Sequence, residues 1–195
     1  MLKVLIDDIS TINDSNFESI FNSLPESRKE KVQSYKNKTD SYLSLLASKL
    51  LIDGLRDLGF ENEIDNIRED DNKKPHLVNN SVFFSISHSG SKAMVVFSDK
   101  EIGCDIQIIK NSDISLAERF FNQSEVKEIK ESAKPHDTFY MYWTLKESYM
   151  KAKGIGLALG MKNAPILNGQ IFDDNYMSFS KKIDENYFIS YVYKK

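Results

Sequence analysis

Apolar and polar positions alternate along this chain in two ways, and each way predicts one kind of element. Strict alternation places successive side chains on opposite faces of a strand. This pattern occurs in residues 2–6, 101–109 and 176–193, while residues 82–87 and 93–97 are strand-like segments on either side of a turn at residues 89–91. We predict strands there, with two strands around a turn at residues 184–186 in the last segment.

Apolar residues spaced three and four positions apart predict helices instead. The predicted helices span residues 17–24, 40–59, 116–121, 124–132 and 137–153. Asp40 and Asp137 are the expected N-caps of the two long helices, and Gly59 and Gly154 are expected to end them. Because strands and helices follow one another in separate blocks in each half of the chain, we expect an α+β fold.

The composition narrows the class of protein. A chain of 195 residues fits one domain or two small fused halves, and 41% hydrophobic with 28% charged residues is typical of a globular protein. A net charge of −3 argues against a general nucleic-acid-binding surface. The only cysteine, Cys104, excludes an internal disulfide and fits a reducing compartment. The N-terminus turns acidic at Asp7, too early for a signal peptide, and no apolar run is long enough for a membrane span. We expect a cytoplasmic protein that binds neither nucleic acid nor membrane.

Two short stretches bring acidic and basic residues together. In Gly103-Cys104-Asp105-Ile106-Gln107, strand alternation places Asp105 and Gln107 on the face opposite Cys104, which is expected to be a core residue. In residues 143–151, helical spacing aligns Trp143, Glu147 and Lys151. Asp105 and Glu147 could hold Mg²⁺, which takes one or two protein carboxylates together with substrate phosphates.

Other residues could complete a site for magnesium and phosphate. Gln107 could offer a neutral oxygen to the metal or hold a water, while Lys146 and Lys151 could bind anionic oxygens. Taken separately, each stretch has an ordinary explanation. A single acid on a strand is usually an edge charge, and Glu147 with Lys151 could be an i,i+4 salt bridge worth about 0.2–0.5 kcal/mol. Their combination favours the phosphate site.

Further basic and hydroxyl residues lie upstream. His88 stands between Ser87 and Ser89, which could donate to a phosphate or simply satisfy the backbone at a strand end. Lys73 and Lys74 precede Pro75 and add positive charge. A run with Arg28, Lys29 and Lys31 could be a solvated face, as most such runs are. The sequence contains neither a P-loop nor a glycine-rich dinucleotide motif, nor zinc-ligand spacing, nor the kinase motifs.

Taken in order, four motifs resemble those of the 4′-phosphopantetheinyl transferases. They are Lys74-Pro75, Ile86-Ser87-His88-Ser89, Gly103-Cys104-Asp105-Ile106-Gln107 and Trp143-Thr144-Leu145-Lys146-Glu147-Ser148. The length resembles that of the monomeric, surfactin-synthetase-activating branch rather than that of the short trimeric synthases. The resemblance covers residues 25–153, and four motifs at fitting spacings are far more specific than any one of them.

The resemblance implies two similar α+β halves, residues 1–100 and 101–195, related by a pseudo-twofold axis with the active cleft between them. It implies transfer of the phosphopantetheine arm of coenzyme A to a serine of an apo carrier protein, with Mg²⁺ as cofactor. The second half would then carry the metal and the catalytic helix. The first half would contact the 3′-phosphate and the adenosine.

The resemblance also implies roles for single residues. The implied metal ligands are Asp105, Gln107 and Glu147. The implied catalytic residues are Glu147 and Lys151, and Lys151 would also touch the pyrophosphate. The other implied coenzyme contacts are Arg28, Lys31, Lys74, Ser87 and His88. Trp143 would support the motif helix. The serine hydroxyl must lose a proton, and Glu147 is the best-placed base, directly or through water.

Two positions depart from the family pattern. Gln107 stands where members often have a third carboxylate, so weaker metal binding or an extra water is expected. Residues 42–44 lack an arginine that reaches the nucleotide in many members. Two other functions stay open: a noncatalytic coenzyme A or nucleotide sensor, and a metal-dependent phosphodiesterase that would need no acceptor.

Overall fold

A computed structural model describes residues 1–70, 74–111, 114–155 and 161–195 of the chain. It divides into two compact units, Met1–Asp99 and Lys100–Lys195. Each unit combines an antiparallel sheet with helices, so the predicted α+β class is confirmed. The pseudo-twofold relation and the roles assigned to the two halves stay predictions.

The first unit is built on a three-stranded antiparallel sheet in the order β1-β5-β4. Its strands are β1 (Leu2–Asp8), β4 (Phe83–Ser89) and β5 (Lys92–Ser98). In this register Phe84 lies opposite Phe97 and His88 lies opposite Ala93. β2 (Ile67–Glu69) and β3 (Pro75–Leu77) pair with each other as a separate two-stranded antiparallel sheet.

Three helices belong to the first unit: α1 (Asp14–Asn22), α2 (Glu26–Gln33) and α3 (Lys38–Asp57). The leucines of α3 form the core with the apolar residues of β4 and β5. The prediction that Asp40 caps α3 is wrong, because the side chain of Asn37 accepts the hydrogen bond from Thr39 N at 2.8 Å. Asp40 lies in the first turn, where its charge still suits the helix dipole.

The second unit has a three-stranded antiparallel sheet in the order β6-β10-β9. Its strands are β6 (Ile102–Ile108), β9 (Tyr176–Ile183) and β10 (Tyr187–Lys194). The predicted hairpin of β9 and β10 is confirmed. A small hairpin of β7 (Ile166–Leu167) and β8 (Gln170–Ile171) precedes it.

The helices of the second unit are α4 (Ser115–Phe120), α5 (Gln123–Glu131) and α6 (Pro135–Lys153). The predicted cap of α6 is wrong: Pro135 begins the helix, where its missing N–H costs nothing, and Asp137 lies in the first turn. Asp137 Oδ2 instead accepts a hydrogen bond from Lys182 Nζ at 2.8 Å. Gly154 ends α6 in the left-handed conformation at φ 66°, as predicted. Among the described residues, no helix combines the length and the apolar character that crossing a membrane requires.

Candidate active site

The candidate site forms where α6 packs directly onto β6. Gly103 makes this contact possible: a Cβ there would lie 2.1 Å from Ser148 O and 2.3 Å from Ala152 N. Only a residue without a side chain lets the helix backbone approach so closely. Asp105 and Gln107 follow Gly103 at strand spacing, so they face the same helix.

Buried hydroxyl groups form hydrogen bonds between α6 and the strand β10. Thr144 Oγ1 and Ser190 Oγ are 2.7 Å apart, and Ser148 Oγ donates to Ser190 O at 2.9 Å. All three residues are buried. A buried hydroxyl must find a hydrogen-bond partner, so these contacts set how far α6 is rotated against the sheet. The sequence analysis did not identify this network, although Thr144 and Ser148 lie within the helix motif.

Lys151 connects the strand motif with the helix motif. Its ammonium donates to Asp105 Oδ1 at 2.9 Å and to Cys104 O at 3.0 Å. Glu147 Oε2 is 3.9 Å from the same nitrogen. Lys151 is therefore held mainly by Asp105, and the i,i+4 contact with Glu147 is the weaker of the two.

Gln107 also contacts Asp105. Its amide nitrogen donates to Asp105 Oδ2 at 3.1 Å. Both oxygens of this carboxylate thus have a partner on the protein. The structure brings together all three predicted metal ligands and Lys151.

The site concentrates two carboxylates in a buried place. Asp105 is 1% exposed and Glu147 is 7% exposed. Burial and the charge of Asp105 raise the pKa of Glu147 to about 7, against the opposing effect of Lys151. Burial disfavours the ammonium of Lys151, but Asp105, the hydrogen bond to it and Glu147 outweigh this effect and raise its pKa.

This electrostatic balance fits a divalent cation. One ammonium does not offset two buried carboxylates, and burial together with the charge of Asp105 raises the pKa of Glu147. Across the described ranges 1–70, 74–111, 114–155 and 161–195, no three His, Cys, Asp or Glu side chains form a metal-binding group. The candidate ligand set is therefore two carboxylates and one amide oxygen, which suits Mg²⁺ shared with substrate phosphates rather than a cage made by protein alone.

Trp143 belongs to an aromatic cluster beside the site. Its ring stacks on Phe139 at 5.7 Å and meets the edge of Phe120 at 5.5 Å. Phe121 lies 6.2 Å from it. The cluster packs α4 and the segment before α5 against α6. Cys104 is fully buried in β6, which confirms its prediction as a core residue.

Apart from Lys151, the coenzyme-binding candidates lie in the first unit, where Arg28 and Lys31 line a cavity of about 470 Å³ with Arg68 and Glu69. Arg28 is buried and its Nε donates to Ser48 Oγ at 3.0 Å, while burial lowers the pKa of its guanidinium. Lys31 Nζ is 3.9 Å from Glu69 Oε1. Arg68, a basic residue in the short strand β2, carries no sequence pattern that would point to this cavity.

The other first-unit candidates are spread over β4 and the start of β3. Ser87 and His88 are neighbours in a strand, so their side chains point to opposite faces of the sheet. His88 shares its face with Phe84, which packs in the core against α3, and is itself half-buried. Lys74 directly precedes β3, and its backbone N–H is bound by Asp70. Ser87 and His88 therefore do not form one cluster; the neighbouring Lys73 lies outside the described residues.

Comparison with known proteins identifies the family. Residues 101–191 match the 4′-phosphopantetheinyl transferase superfamily. The 4′-phosphopantetheinyl transferase gsp of Aneurinibacillus migulanus is 36% identical over 145 residues, 71% of this chain and 61% of that protein. The 4′-phosphopantetheinyl transferase ffp of Bacillus subtilis is 31% identical over 136 residues, 68% of this chain and 61% of the relative. The 4′-phosphopantetheinyl transferase Sfp of Bacillus subtilis strain 168 is 38% identical over 78 residues, 39% of this chain and 35% of that protein.

The segment that matches the superfamily contains both motifs of the candidate site. By these matches the chain belongs to the 4′-phosphopantetheinyl transferase superfamily, as its sequence motifs predicted. The chain spans about three fifths of the length of the first two relatives, at 61% of each.

Proposed function

We propose that this protein transfers the 4′-phosphopantetheine arm of coenzyme A to a serine hydroxyl of an apo carrier protein, with release of 3′,5′-adenosine bisphosphate. The observation that carries this proposal is the buried cluster of Asp105, Glu147 and Lys151 in the superfamily segment. Two carboxylates and one ammonium are the groups that a reaction at a magnesium-bound pyrophosphate requires.

The proposed ligands of Mg²⁺ are Asp105 and Glu147, with Gln107 as a third, neutral donor. When bound, the ion would neutralise negative charge on the pyrophosphate oxygens. Lys151 would hold a nonbridging oxygen of the pyrophosphate and stabilise the charge that grows there during attack. Its present partner, Asp105, already fixes the ammonium at the edge of the site.

Glu147 is the proposed general base. The serine hydroxyl of the carrier protein must lose its proton as its oxygen attacks phosphorus, and a carboxylate oxygen of Glu147 would accept that proton. A base is most effective when its pKa is close to the working pH; with no cation beside it, burial and the charge of Asp105 raise the pKa of Glu147 to about 7, and a bound Mg²⁺ would lower it. The leaving group departs as a phosphate of adenosine bisphosphate.

The first unit would bind the other end of coenzyme A. Arg28, Lys31, Lys74 and His88 are the proposed contacts of the 3′-phosphate, and Ser87 would contact the adenosine. The cavity that Arg28 and Lys31 line supports the first two assignments, because two cationic groups converge there. We also propose that the protein acts as a monomer in the cytoplasm; its single free cysteine supports a reducing compartment.

A mass measurement tests the proposal. Protein, coenzyme A, Mg²⁺ and an apo carrier protein are incubated, and the mass of the carrier is followed. We expect the mass to rise by one phosphopantetheine group, and to stay unchanged with excess chelator or with a carrier whose acceptor serine is replaced by alanine. Bound coenzyme A without any transfer across a panel of apo carriers would favour the sensor. Adenosine bisphosphate released without a carrier would favour the phosphodiesterase.

A further inference from the structure

Lys146 precedes the proposed base in sequence but points away from the site. It is completely buried. Since successive helical residues are rotated by about 100°, Lys146 lies about 160° around α6 from Ser148, which faces the sheet. The sequence analysis expected this lysine to bind anionic substrate oxygens, whereas the structure directs it to the opposite face of the helix.

The ammonium of Lys146 joins three segments of the second unit. It lies 2.9 Å from Glu125 Oε1 and donates to Met161 O at 2.6 Å. It also lies over the ring of Phe121, 5.3 Å from the centroid. The second oxygen of Glu125 accepts from Asn122 N at 2.9 Å, which caps the start of α5. One side chain of α6 thereby binds the start of α5 and the turn at Met161.

Stability alone does not explain this lysine. A buried ion pair loses much of its attraction to desolvation, and apolar residues of similar size often replace such a pair without loss of stability. An apolar side chain, however, cannot select a carboxylate and a carbonyl as partners. The pair instead makes the packing specific: it fixes which residue on the face of α6 away from the sheet contacts α5.

A cavity of about 580 Å³ lies beside these contacts. Phe121 and Asn122 line one part of it, and Lys162 and Asn163 line another. Lys146 contacts the ring of Phe121 and pairs with the Glu125 carboxylate, which accepts from Asn122 N. It also donates to the carbonyl of Met161, the residue before Lys162. The position of both linings relative to α6 therefore depends on Lys146.

We propose that Lys146 is a positioning residue that, with Glu125, fixes the rotation of α6 and thereby the place of the Glu147 carboxylate. Thr144 and Ser148 hold the sheet side of the helix through Ser190, and Lys146 holds the opposite side. With both faces fixed, α6 cannot roll, and Glu147 stays beside Asp105. This inference rests on the proposed transferase function.

The test removes the charges in pairs. Lys146→Met alone leaves Glu125 charged and buried. If that variant did not fold, the result would say nothing about positioning. The decisive variant is therefore the double substitution Glu125→Gln with Lys146→Met. The side-chain oxygen of glutamine at position 125 can still accept the hydrogen bond from Asn122 N. The matched control is Lys127→Met with Glu131→Gln, which removes an exposed ion pair from the same helix α5. Each variant is measured for thermal midpoint, for kcat and KM with coenzyme A, and for the emission of Trp143, the only tryptophan.

We expect the buried double variant to keep a thermal midpoint close to that of the wild type, to lose at least about tenfold in kcat, and to keep its KM for coenzyme A within about twofold. The emission of Trp143 should shift, because Phe121 lies 6.2 Å from its ring. The control should change none of these quantities.

A kcat within twofold of the wild type, with intact folding, would overturn the proposal and leave the pair a purely structural role. If the double variant does not fold, Glu125→Gln alone decides: a lower kcat at unchanged KM supports the proposal, and an unchanged kcat overturns it. A wild type that transfers nothing would instead refute the proposed function, which separates the two failures.

Discussion

Replacing Gly103 by alanine should disrupt the packing of α6 on β6 that forms the site. The new Cβ would meet Ser148 O at 2.1 Å, Ala152 N at 2.3 Å and Lys151 Cβ at 2.8 Å. Ordinary contacts between such atoms lie near 3.5 Å, so α6 must retreat from β6 by on the order of 1 Å. Two of the three atoms belong to the helix backbone, which cannot move aside as a flexible side chain would.

The magnitude follows from these distances. Overpacking a well-packed core usually costs about 1–3 kcal/mol, and we expect the upper end of that range because a whole helix must shift. The same shift would lengthen the contact between Lys151 and Asp105, now 2.9 Å. Because a displacement of about 1 Å at a reacting group can cost about 100-fold in rate, transfer should fall by at least that factor.

Urea unfolding followed by circular dichroism gives the free energy of unfolding, and the carrier-mass assay gives the rate. Gly59→Ala is the control: Gly59 has φ +80° and no atom within 4 Å of an added Cβ. It should cost about 1 kcal/mol through backbone strain and leave the rate unchanged. If Gly103→Ala unfolds at the wild-type urea concentration and transfers at the wild-type rate, α6 does not pack on β6 as described.

Three further predictions concern the proposed site and the coenzyme contacts. Asp105→Asn and Glu147→Gln should each abolish transfer in a folded protein, because the isosteric amides leave no cavity but remove a negative charge that the metal needs; measurable transfer by either folded variant would contradict the metal assignment. His88→Ala and Lys74→Ala should raise the KM for coenzyme A more than they lower kcat, since the 3′-phosphate is remote from the reacting phosphorus; with dephospho-coenzyme A as substrate, the variants should match the wild type. Gln107→Glu should lower the Mg²⁺ concentration for half-maximal rate and Gln107→Ala should keep substantial activity, as a Mg²⁺ titration of the rate would show; an inactive but folded Gln107→Ala would make Gln107 an essential ligand.

The sequence predicted the elements that have a clear apolar period. Strands β6, β9 and β10 were anticipated from their alternation, β4 and β5 from strand-like segments on either side of a turn, and α3 and α6 from their spacing. Helix α2 was not predicted, because five of its eight residues are charged, Val32 is its one apolar residue, and only Arg28 and Val32 are buried. Its helical state depends on packing against α3, which a local pattern does not reveal.

The helix caps show why the sequence does not predict where a helix begins. Asp40 and Asp137 are good capping residues, yet both helices begin two residues before them, at Lys38 after the Asn37 cap and at Pro135. Asparagine caps as well as aspartate does, and proline is favoured at a first helical position, so several starts were compatible with the sequence. The choice between them lies in contacts with residues far along the chain, such as Lys182 for Asp137.

For the site, residue types at strand and helix spacing were sufficient to select Asp105, Gln107, Glu147 and Lys151. They were insufficient for Lys146, because one turn of a buried helix presents charged residues to two different surroundings. Spacing tells which residues share a face, but not what lies against that face. The carboxylate that binds Lys146 belongs to Glu125, 21 positions earlier in the chain, and nothing local links the two.

The charges of the site explain why glutamine can stand at position 107. Asp105 and Glu147 carry two negative charges and Lys151 one positive charge, so the cluster is singly negative when all three are ionised. A third carboxylate at position 107 would make it doubly negative in a place where burial and Asp105 already raise the pKa of Glu147 to about 7. Glutamine avoids that repulsion, and its amide nitrogen donates to Asp105 at 3.1 Å. A carboxylate could make this contact only if protonated. The amide thus keeps the Asp105 carboxylate oriented before a cation is bound, at the cost of weaker attraction for that cation.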